Sequence, residues 1–135
     1  MTDDLARRTV AEYWMEKANA ALASARSEMN AGRYDFAANR VYYACFYSAS
    51  AVLLEEGQRF RKHAGVRGAV HQFLVKSGRL DAQWGRIYDR VFESRQLADY
   101  LELVEFEEHR IRDLLSQSEG FVAEMKQLLA AKGVQ

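Results

Sequence analysis

Apolar residues recur along the chain at intervals of three and four positions, which is the spacing of one face of an α-helix. The first such run covers about residues 3–30, and the sequence NAG ends it with a glycine suited to a left-handed helix cap. Further runs cover about residues 34–56, 63–77, 81–98 and 107–131, and Asp81 can cap the fourth helix through its side chain. No stretch of useful length alternates with a period of two, so the pattern predicts five helices and no strand.

The second helix differs from the others because it is apolar on almost every side. A helix of this kind belongs at the centre of a bundle or between two subunits. The other helices carry a single apolar stripe each, such as Trp84, Tyr88 and Phe92 in the fourth. These patterns predict an all-α, antiparallel up-and-down bundle of four to five helices, with residues 1–135 forming a single domain.

The composition is that of a globular chain and argues against several classes of protein. Lys and Arg together number 19, as do Asp and Glu, so the net charge favours no partner and any basic surface must be local. The N-terminal residues lack the apolar centre of a secretory signal. The longest apolar run, VYYACFYSASAVLL, is shorter than the ~20 residues of a membrane span. We therefore expect a cytoplasmic protein that does not enter a membrane.

The sequence offers no set of ligands for a metal or a cofactor. A di-iron bundle needs paired Glu-x-x-His motifs, and no such motif precedes His109. His63 and His71 are scattered, and no glycine-rich phosphate loop follows a strand. The single Cys45 excludes an internal disulfide, and its apolar neighbours predict a buried, unreactive thiol. We expect neither a metal nor a cofactor.

Two arginines fall on aromatic helix faces, where a permanent charge is costly to bury. Arg95 follows Phe92 by three residues, and Arg40 precedes Tyr43 by three. One interpretation is a set of structural ion pairs that join the second and fourth helices. The candidate carboxylates are Asp35, Glu93 and Asp99. The other interpretation is a cationic cleft, edged by tyrosines, that binds a phosphate or a base.

The connection GQRFRKHAGVRG between the second and third helices is locally basic. Phe60 and His63 are surrounded by basic residues with no acidic residue among them, namely Arg59, Arg61, Lys62 and Arg67. Basic side chains interleaved with an aromatic ring suit single-stranded nucleic acid, which offers phosphates for contact and bases for stacking. A solvated basic loop without a ligand is the alternative interpretation.

Three separated motifs resemble those of the prokaryotic HEPN domains, most closely a group of small stand-alone members. They are AANRVYYACFYSASAVLLEEG, KHAGVRGAVHQFLVKSGRL and RVFESRQLADY, in the expected order over most of the chain. The resemblance implies a helical bundle that forms a homodimer with a cleft at its interface. It also implies a minimal nucleotidyltransferase as the partner protein, the two acting as toxin and antitoxin.

Toxin members of the family are metal-independent endoribonucleases with a signature of Arg followed, after four to six residues, by His. Arg95 matches the arginine, but Tyr100 stands where the histidine would be. A tyrosine with an ordinary pKa near ~10 is a poor base at neutral pH, although it can donate a hydrogen bond or position a substrate. The candidate catalytic residues are Arg95, Asp99 and Tyr100. The candidates for binding RNA or a nucleotide are Arg40, Tyr43, Arg59, Arg61 and Lys62.

Three functions remain open on the sequence. The first is a HEPN partner of a nucleotidyltransferase that binds RNA or a nucleotide without efficient cleavage of its own. The second is an active ribonuclease toxin in which Tyr100, Asp99 or a remote histidine takes the missing role. The third is a structural dimerisation module with no ligand.

Overall fold

The computed structural model describes the backbone of residues 2–60, 62–100 and 107–134, and the side chains of residues 4–60, 62–97 and 107–131. This part of the chain is almost entirely helical and contains no strand. Its helices are α1 (Thr2–Asn30), α2 (Tyr34–Glu55), α3 (His63–Ala69), α4 (Ala82–Tyr100) and α5 (Glu108–Val134). They form the all-α helical bundle that the apolar pattern predicts.

Residues that favour helix ends lie at the boundaries of several helices. Gly32, Gly57 and Gly78 have φ angles of 77°, 84° and 81°, in the left-handed region that other residues disfavour. At the start of α4, the backbone N–H of Gln83 donates a hydrogen bond of 3.0 Å to a carboxylate oxygen of Asp81. This contact is the predicted N-cap. Together with the three glycines, it places the helix boundaries within a few residues of the predicted ones.

α2 lies at the centre of the bundle and packs against each of the other four helices. Its Tyr42 is fully buried, with its ring centre 6.2 Å from that of Tyr88 and 5.8 Å from that of Phe92, both in α4. Tyr88 in turn contacts the ring of Phe121 in α5 at 5.5 Å. This chain of rings joins α2, α4 and α5, and confirms the burial predicted for Tyr88 and Phe92.

Cys45 is fully buried in α2, as the sequence predicts. Burial raises the pKa of its thiol, because an apolar surrounding disfavours the thiolate. Cys45 is therefore a packing residue of the central helix and not a nucleophile.

The third helix departs from the prediction of one α-helix over about residues 63–77. Its α-helical turns end at Ala69, and Val70–Val75 continue as a π-helix, which has a wider turn. The π-helix packs closely on Gly85 of α4, where a Cβ atom would lie 2.8 Å from Cε1 of His71 and 3.1 Å from Cγ2 of Val75. The absence of a side chain at Gly85 therefore makes room for the wider turn.

Candidate functional site

Arg95 lies on α4 beside the aromatic residues of α2, so its helical spacing from Phe92 predicts its surroundings correctly. Its guanidinium carbon is 5.1 Å from the ring centre of Tyr42 and 5.5 Å from that of Tyr43. Distances of this size are typical of cation–π contacts, which stabilise a partly desolvated guanidinium. At this point α2 and α4 are therefore joined through a cation and two aromatic rings.

Arg40 approaches one of the same rings from within α2. Its guanidinium carbon lies 5.1 Å from the ring centre of Tyr43. Two of its nitrogens donate hydrogen bonds to the side-chain oxygen of Asn39 at 3.0 and 2.5 Å. An amide oxygen is neutral, so these bonds orient the guanidinium without cancelling its charge. Asp35, a predicted partner of Arg40, accepts a hydrogen bond from the backbone N–H of Phe36.

Arg40 and Arg95 thus share one aromatic surface. The sequence alone does not show whether these two arginines meet in one site. The surface continues toward α1, because the ring of Tyr47 lies 5.6 Å from that of Tyr43, and Nζ of Lys17 lies 5.0 Å from the Tyr47 ring centre. Nζ of Lys17 is also 5.6 Å from the ring centre of a further tyrosine in α1. We call this surface the cation–aromatic row; its members are Tyr13, Lys17, Tyr47, Tyr43, Arg40 and Arg95. Each member is half-buried or exposed, so the row is open to a ligand.

His63, the first residue of α3, lies at the edge of the row. Its ring stacks on Phe46 at 4.5 Å with an interplanar angle of 19°, and meets Tyr43 edge-on at 5.8 Å. Nδ1 of His63 and the hydroxyl of Tyr42 share a hydrogen bond of 2.5 Å. Within the described part of the chain, Nε2 of His63 has no hydrogen-bond partner, and the side chain is half-buried.

The pKa values of His63 and Tyr42 are shifted in directions that keep both groups neutral. Burial, and to a smaller extent the charge of Arg95, lowers the pKa of His63 below its usual 6.5. Burial raises the pKa of Tyr42 to about 12, although Tyr88 and Arg95 oppose this shift. At neutral pH His63 is therefore mainly imidazole, and Tyr42 keeps its phenolic proton.

A network of polar and charged side chains joins α3 and the π-helix to α4 next to this site. Nε of Arg67 donates a hydrogen bond of 2.8 Å to Asp89, and a second nitrogen of Arg67 lies 3.2 Å from Glu93, a predicted partner of Arg95. Nε2 of His71 lies 2.9 Å from the same oxygen of Asp89. Burial alone would raise the pKa of Asp89, but hydrogen bonds from His71 and Arg67 hold it below its usual value. This network connects the third helical segment to α4, and its role is structural.

The basic connection before α3 is partly available to a ligand. Arg59 and Lys62 are exposed, whereas Arg61 lies outside the described residues. Phe60 packs against the core, and its ring lies 3.2 Å from the position of a Cβ atom at Gly65. The ring of Phe60 is thus engaged with the protein, and the aromatic surface open to a base lies in the cation–aromatic row.

Asp99 and Tyr100 belong to the last turn of α4, and their side chains lie outside the described residues. On a helix, Asp99 follows Arg95 by four residues and so shares its face. The roles assigned to Asp99 and Tyr100 from the sequence stay predictions.

Sequence reasoning missed Lys17, and it named His63 only in the basic connection and not beside Tyr42 and Arg95. Lys17 follows Tyr13 by four residues, which is a local sign of a shared helix face, but its contact with Tyr47 joins two different helices. His63 is 21 positions from Tyr42, so helical periodicity contains no sign of their hydrogen bond. Only the tertiary packing of α3 on α2 brings these groups together.

Two further features of the described residues bear on the kind of site. Among the described residues, no group of three or more His, Cys, Asp or Glu side chains could hold a metal ion, and no helix could cross a membrane. A cleft of about 270 Å³ lies between α1 and α5, where Arg26 pairs with Glu119 and Arg112 with Glu108. None of the described residues that line that cleft is aromatic, whereas the row offers open rings beside its positive groups. The row is therefore the stronger candidate for a ligand that carries both a phosphate and a base.

Comparison with known proteins places this bundle in a family. The HEPN domain model matches residues 11–128 of the chain. The chain belongs to the HEPN domain family. This HEPN chain is 40% identical to a "UPF0332 protein" of Thermotoga maritima over 123 residues, which cover 91% of the chain and 93% of that relative.

Two proteins of Methanocaldococcus jannaschii are also similar to the HEPN chain. "Putative toxin MJ0142" is 30% identical over 123 residues, covering 91% of the chain and 84% of that relative. "Putative toxin MJ0605" is 34% identical over 96 residues, covering 71% of each chain. The family resemblance read from the sequence is therefore confirmed, and its three motifs meet in space. They supply Tyr43 from α2, His63 from α3 and Arg95 from α4.

Proposed function

We propose that this HEPN protein binds single-stranded RNA along the cation–aromatic row and is the toxin-type member of a toxin–antitoxin pair. The observation that carries RNA binding is the alternation of positive groups and open rings across α1, α2 and α4. Phosphates bind to guanidinium and ammonium groups, while bases stack on the faces of aromatic rings. The row offers both kinds of contact side by side.

The positions of Arg40 and Arg95 favour an anion as the ligand. Both guanidinium groups lie within 5.5 Å of the Tyr43 ring centre, so their charges repel each other. A phosphate that contacts both groups offsets this repulsion and accepts charge-assisted hydrogen bonds from each. A free nucleotide carries one base with its phosphate group. The row extends from Tyr13 to Arg95 and can therefore contact several consecutive nucleotides of a single strand.

A homodimer is part of the proposal. Phe36 is 57% exposed on α2, one helical turn before Arg40. The family resemblance implies the homodimer, and the exposed Phe36 ring is the proposed contact with the second copy of the chain. Such a dimer brings two copies of the row to one cleft, which lengthens the surface available to RNA.

The toxin-type role rests on the relatives whose printed names contain the word toxin. By the family resemblance, we include a minimal nucleotidyltransferase as the protein that restrains the HEPN chain. Expression of the chain alone is then expected to slow bacterial growth, and co-expression of a minimal nucleotidyltransferase that binds the chain is expected to restore growth. Arg95→Ala should remove the growth defect. Unchanged growth on strong expression of the folded chain would argue against the toxin-type role.

RNA binding is tested by fluorescence anisotropy with a labelled 2′-O-methyl oligonucleotide of about 12 nucleotides, a length within the usual range for single-strand sites. The 2′-O-methyl group prevents cleavage through the 2′-oxygen, so that only binding is measured. Each loss of a charge-assisted contact costs about 1.5–3 kcal/mol, so Arg40→Ala and Arg95→Ala should each weaken binding roughly tenfold or more.

Arg86→Ala is the matched control, since Arg86 is exposed on α4 and is not a member of the row. It should change the Kd very little, apart from the loss of one distant charge. Equal weakening by Arg86→Ala and Arg95→Ala would show that the binding is unspecific attraction to a positive surface. The absence of binding by the wild-type protein would refute the proposal.

A further inference from the structure

We infer that His63 is the general base of an RNA-cleaving reaction at the cation–aromatic row, and that its Nε2 takes the proton of a ribose 2′-hydroxyl. The inference rests on the proposed RNA binding and adds a catalytic residue to it. His63 comes from α3, whereas the histidine of the HEPN signature would follow Arg95 on α4. The same chemistry would thus be supplied from a different helix.

The contacts of His63 hold the imidazole in one orientation. Stacking on Phe46 fixes the plane of the ring, and the hydrogen bond to Tyr42 fixes its rotation within that plane. Because Nδ1 is held by Tyr42, Nε2 is the nitrogen left for a ligand. In the tautomer that acts as a base, Nδ1–H donates to the Tyr42 oxygen and Nε2 carries a lone pair.

The charges that surround His63 favour this basic form at neutral pH. Tyr42 and Tyr43 face the imidazole from α2, and the positive charge of Arg95 faces it from α4. Burial and Arg95 together lower the pKa of His63, so the imidazole is unprotonated at pH 7. A general base must be unprotonated before the reaction begins, and His63 meets this condition.

Arg95 is placed to act on the phosphate while His63 acts on the ribose. Both residues also contact the half-buried ring of Tyr43, so a nucleotide that lies against this ring can meet both of them. The charge of Arg95 stabilises the additional negative charge that develops on the phosphate oxygens in the transition state. In this arrangement α3 supplies the base and α4 supplies the cation.

The reaction is an internal transesterification of RNA that needs no metal ion. As His63 removes the proton, the 2′-oxygen forms a bond to the adjacent phosphorus. The bond between phosphorus and the 5′-oxygen breaks, and that oxygen leaves with the electron pair and takes a proton from water. The products are a 2′,3′-cyclic phosphate and a 5′-hydroxyl end, and His63 returns its proton to the solvent.

The test is cleavage of single-stranded RNA by the full chain in excess chelator, compared with His63→Gln and His63→Ala. General base catalysis typically contributes about 10²–10⁴-fold, so both variants should lose at least about a hundredfold in rate. Their affinity for 2′-O-methyl RNA should stay within a few-fold of wild type. Imidazole added to His63→Ala should restore part of the rate, which a purely structural role of His63 does not predict.

The pH profile gives a second readout. The wild-type kcat/KM should fall on the acid side with an apparent pKa below 6.5, and this limb should disappear in His63→Gln. His109→Ala is the matched control, because His109 is exposed at the start of α5, and it should keep the wild-type rate.

The outcomes separate this inference from the proposed function. Cleavage that survives both His63 substitutions overturns the inference, as does a wild-type protein that binds RNA without cleaving it, and in the second case RNA binding stands. A wild-type protein that does not bind RNA overturns both.

Discussion

His63 is held where its imidazolium form is disfavoured, because neighbouring rings exclude water and Arg95 adds a like charge. The pKa of His63 in the folded chain therefore lies below 6.5, the value that it regains on unfolding. Between these two pKa values the unfolded chain binds more protons than the folded one. The stability that depends on neutral His63 is thus complete above pH 6.5 and is lost as the pH falls toward the folded pKa.

Substitution of His63 should therefore reduce the pH dependence of the protein's stability. His63→Gln should make the melting temperature less sensitive to pH between about pH 7.5 and about pH 5.5, because the residue that gains a proton on unfolding is gone. His109→Gln, at an exposed position, is the matched control for the loss of one histidine. Thermal melts across this range by circular dichroism measure both. Parallel curves for the wild type and His63→Gln would contradict the burial of a neutral His63.

The candidate site could be predicted in part from single residues. The spacing of Arg95 from Phe92, and of Arg40 from Tyr43, predicts cations on aromatic faces because a helix brings residues three apart together. The shared ring of Tyr43 could not be predicted, since it depends on how α4 crosses α2. The position of His63 could not be predicted for the same reason, and it required the packing of α3.

At the scale of the elements, α4 packs closely against two neighbouring helices at glycine residues. Gly85 receives the π-helix, and Gly120 of α5 receives the Trp84 ring of α4, whose nearest atom lies 2.7 Å from the position of a Cβ atom. Helix boundaries follow local signals such as the Asp81 cap, so they could be predicted from the sequence. The π-helix could not, because its apolar residues fit an α-helical period equally well and the close packing on Gly85 is a tertiary effect.

Gly120 and Gly68 form a matched pair for testing this packing. Gly120→Ala should destabilise the fold by about 1–3 kcal/mol, because the new methyl group displaces the Trp84 ring and this cost exceeds the gain in helix propensity. Gly68→Ala in α3 meets nothing within 4 Å, so it should be neutral or stabilise by up to about 1 kcal/mol. Urea unfolding of both variants gives the two free energies. A stabilised Gly120→Ala variant would mean that Trp84 moves aside without cost.

At the scale of the whole molecule, exposed Phe36 and the open row lie on the same side of α2. The wild-type chain is expected to sediment as a dimer at micromolar concentration, as the family resemblance implies, with the exposed ring of Phe36 in the contact. Phe36→Glu should shift the equilibrium toward the monomer, because it places a charge in an apolar contact. Ala130→Glu, at an exposed position of α5, should not. A wild-type monomer at these concentrations would exclude the dimer from the proposed function.

The family and the bundle could be predicted at this scale because both depend on features spread along the chain. The apolar character of α2 on several sides predicts its central position, and three motifs in order predict the HEPN family. The residues that form the site come from three helices and the angles between them, which apolar periodicity does not encode. The sequence therefore predicts the architecture better than the site.

The contact between Tyr88 and Phe121 also sets a time order for the assembly of the molecule. All members of the cation–aromatic row have been synthesised when translation passes Arg95, but Tyr88, which lies behind the Tyr42 ring, is not yet covered by α5. At roughly 5–20 residues per second, the ribosome needs about one to five seconds more to reach Phe121. The nascent chain therefore completes the support of the cation–aromatic row only after it has reached α5.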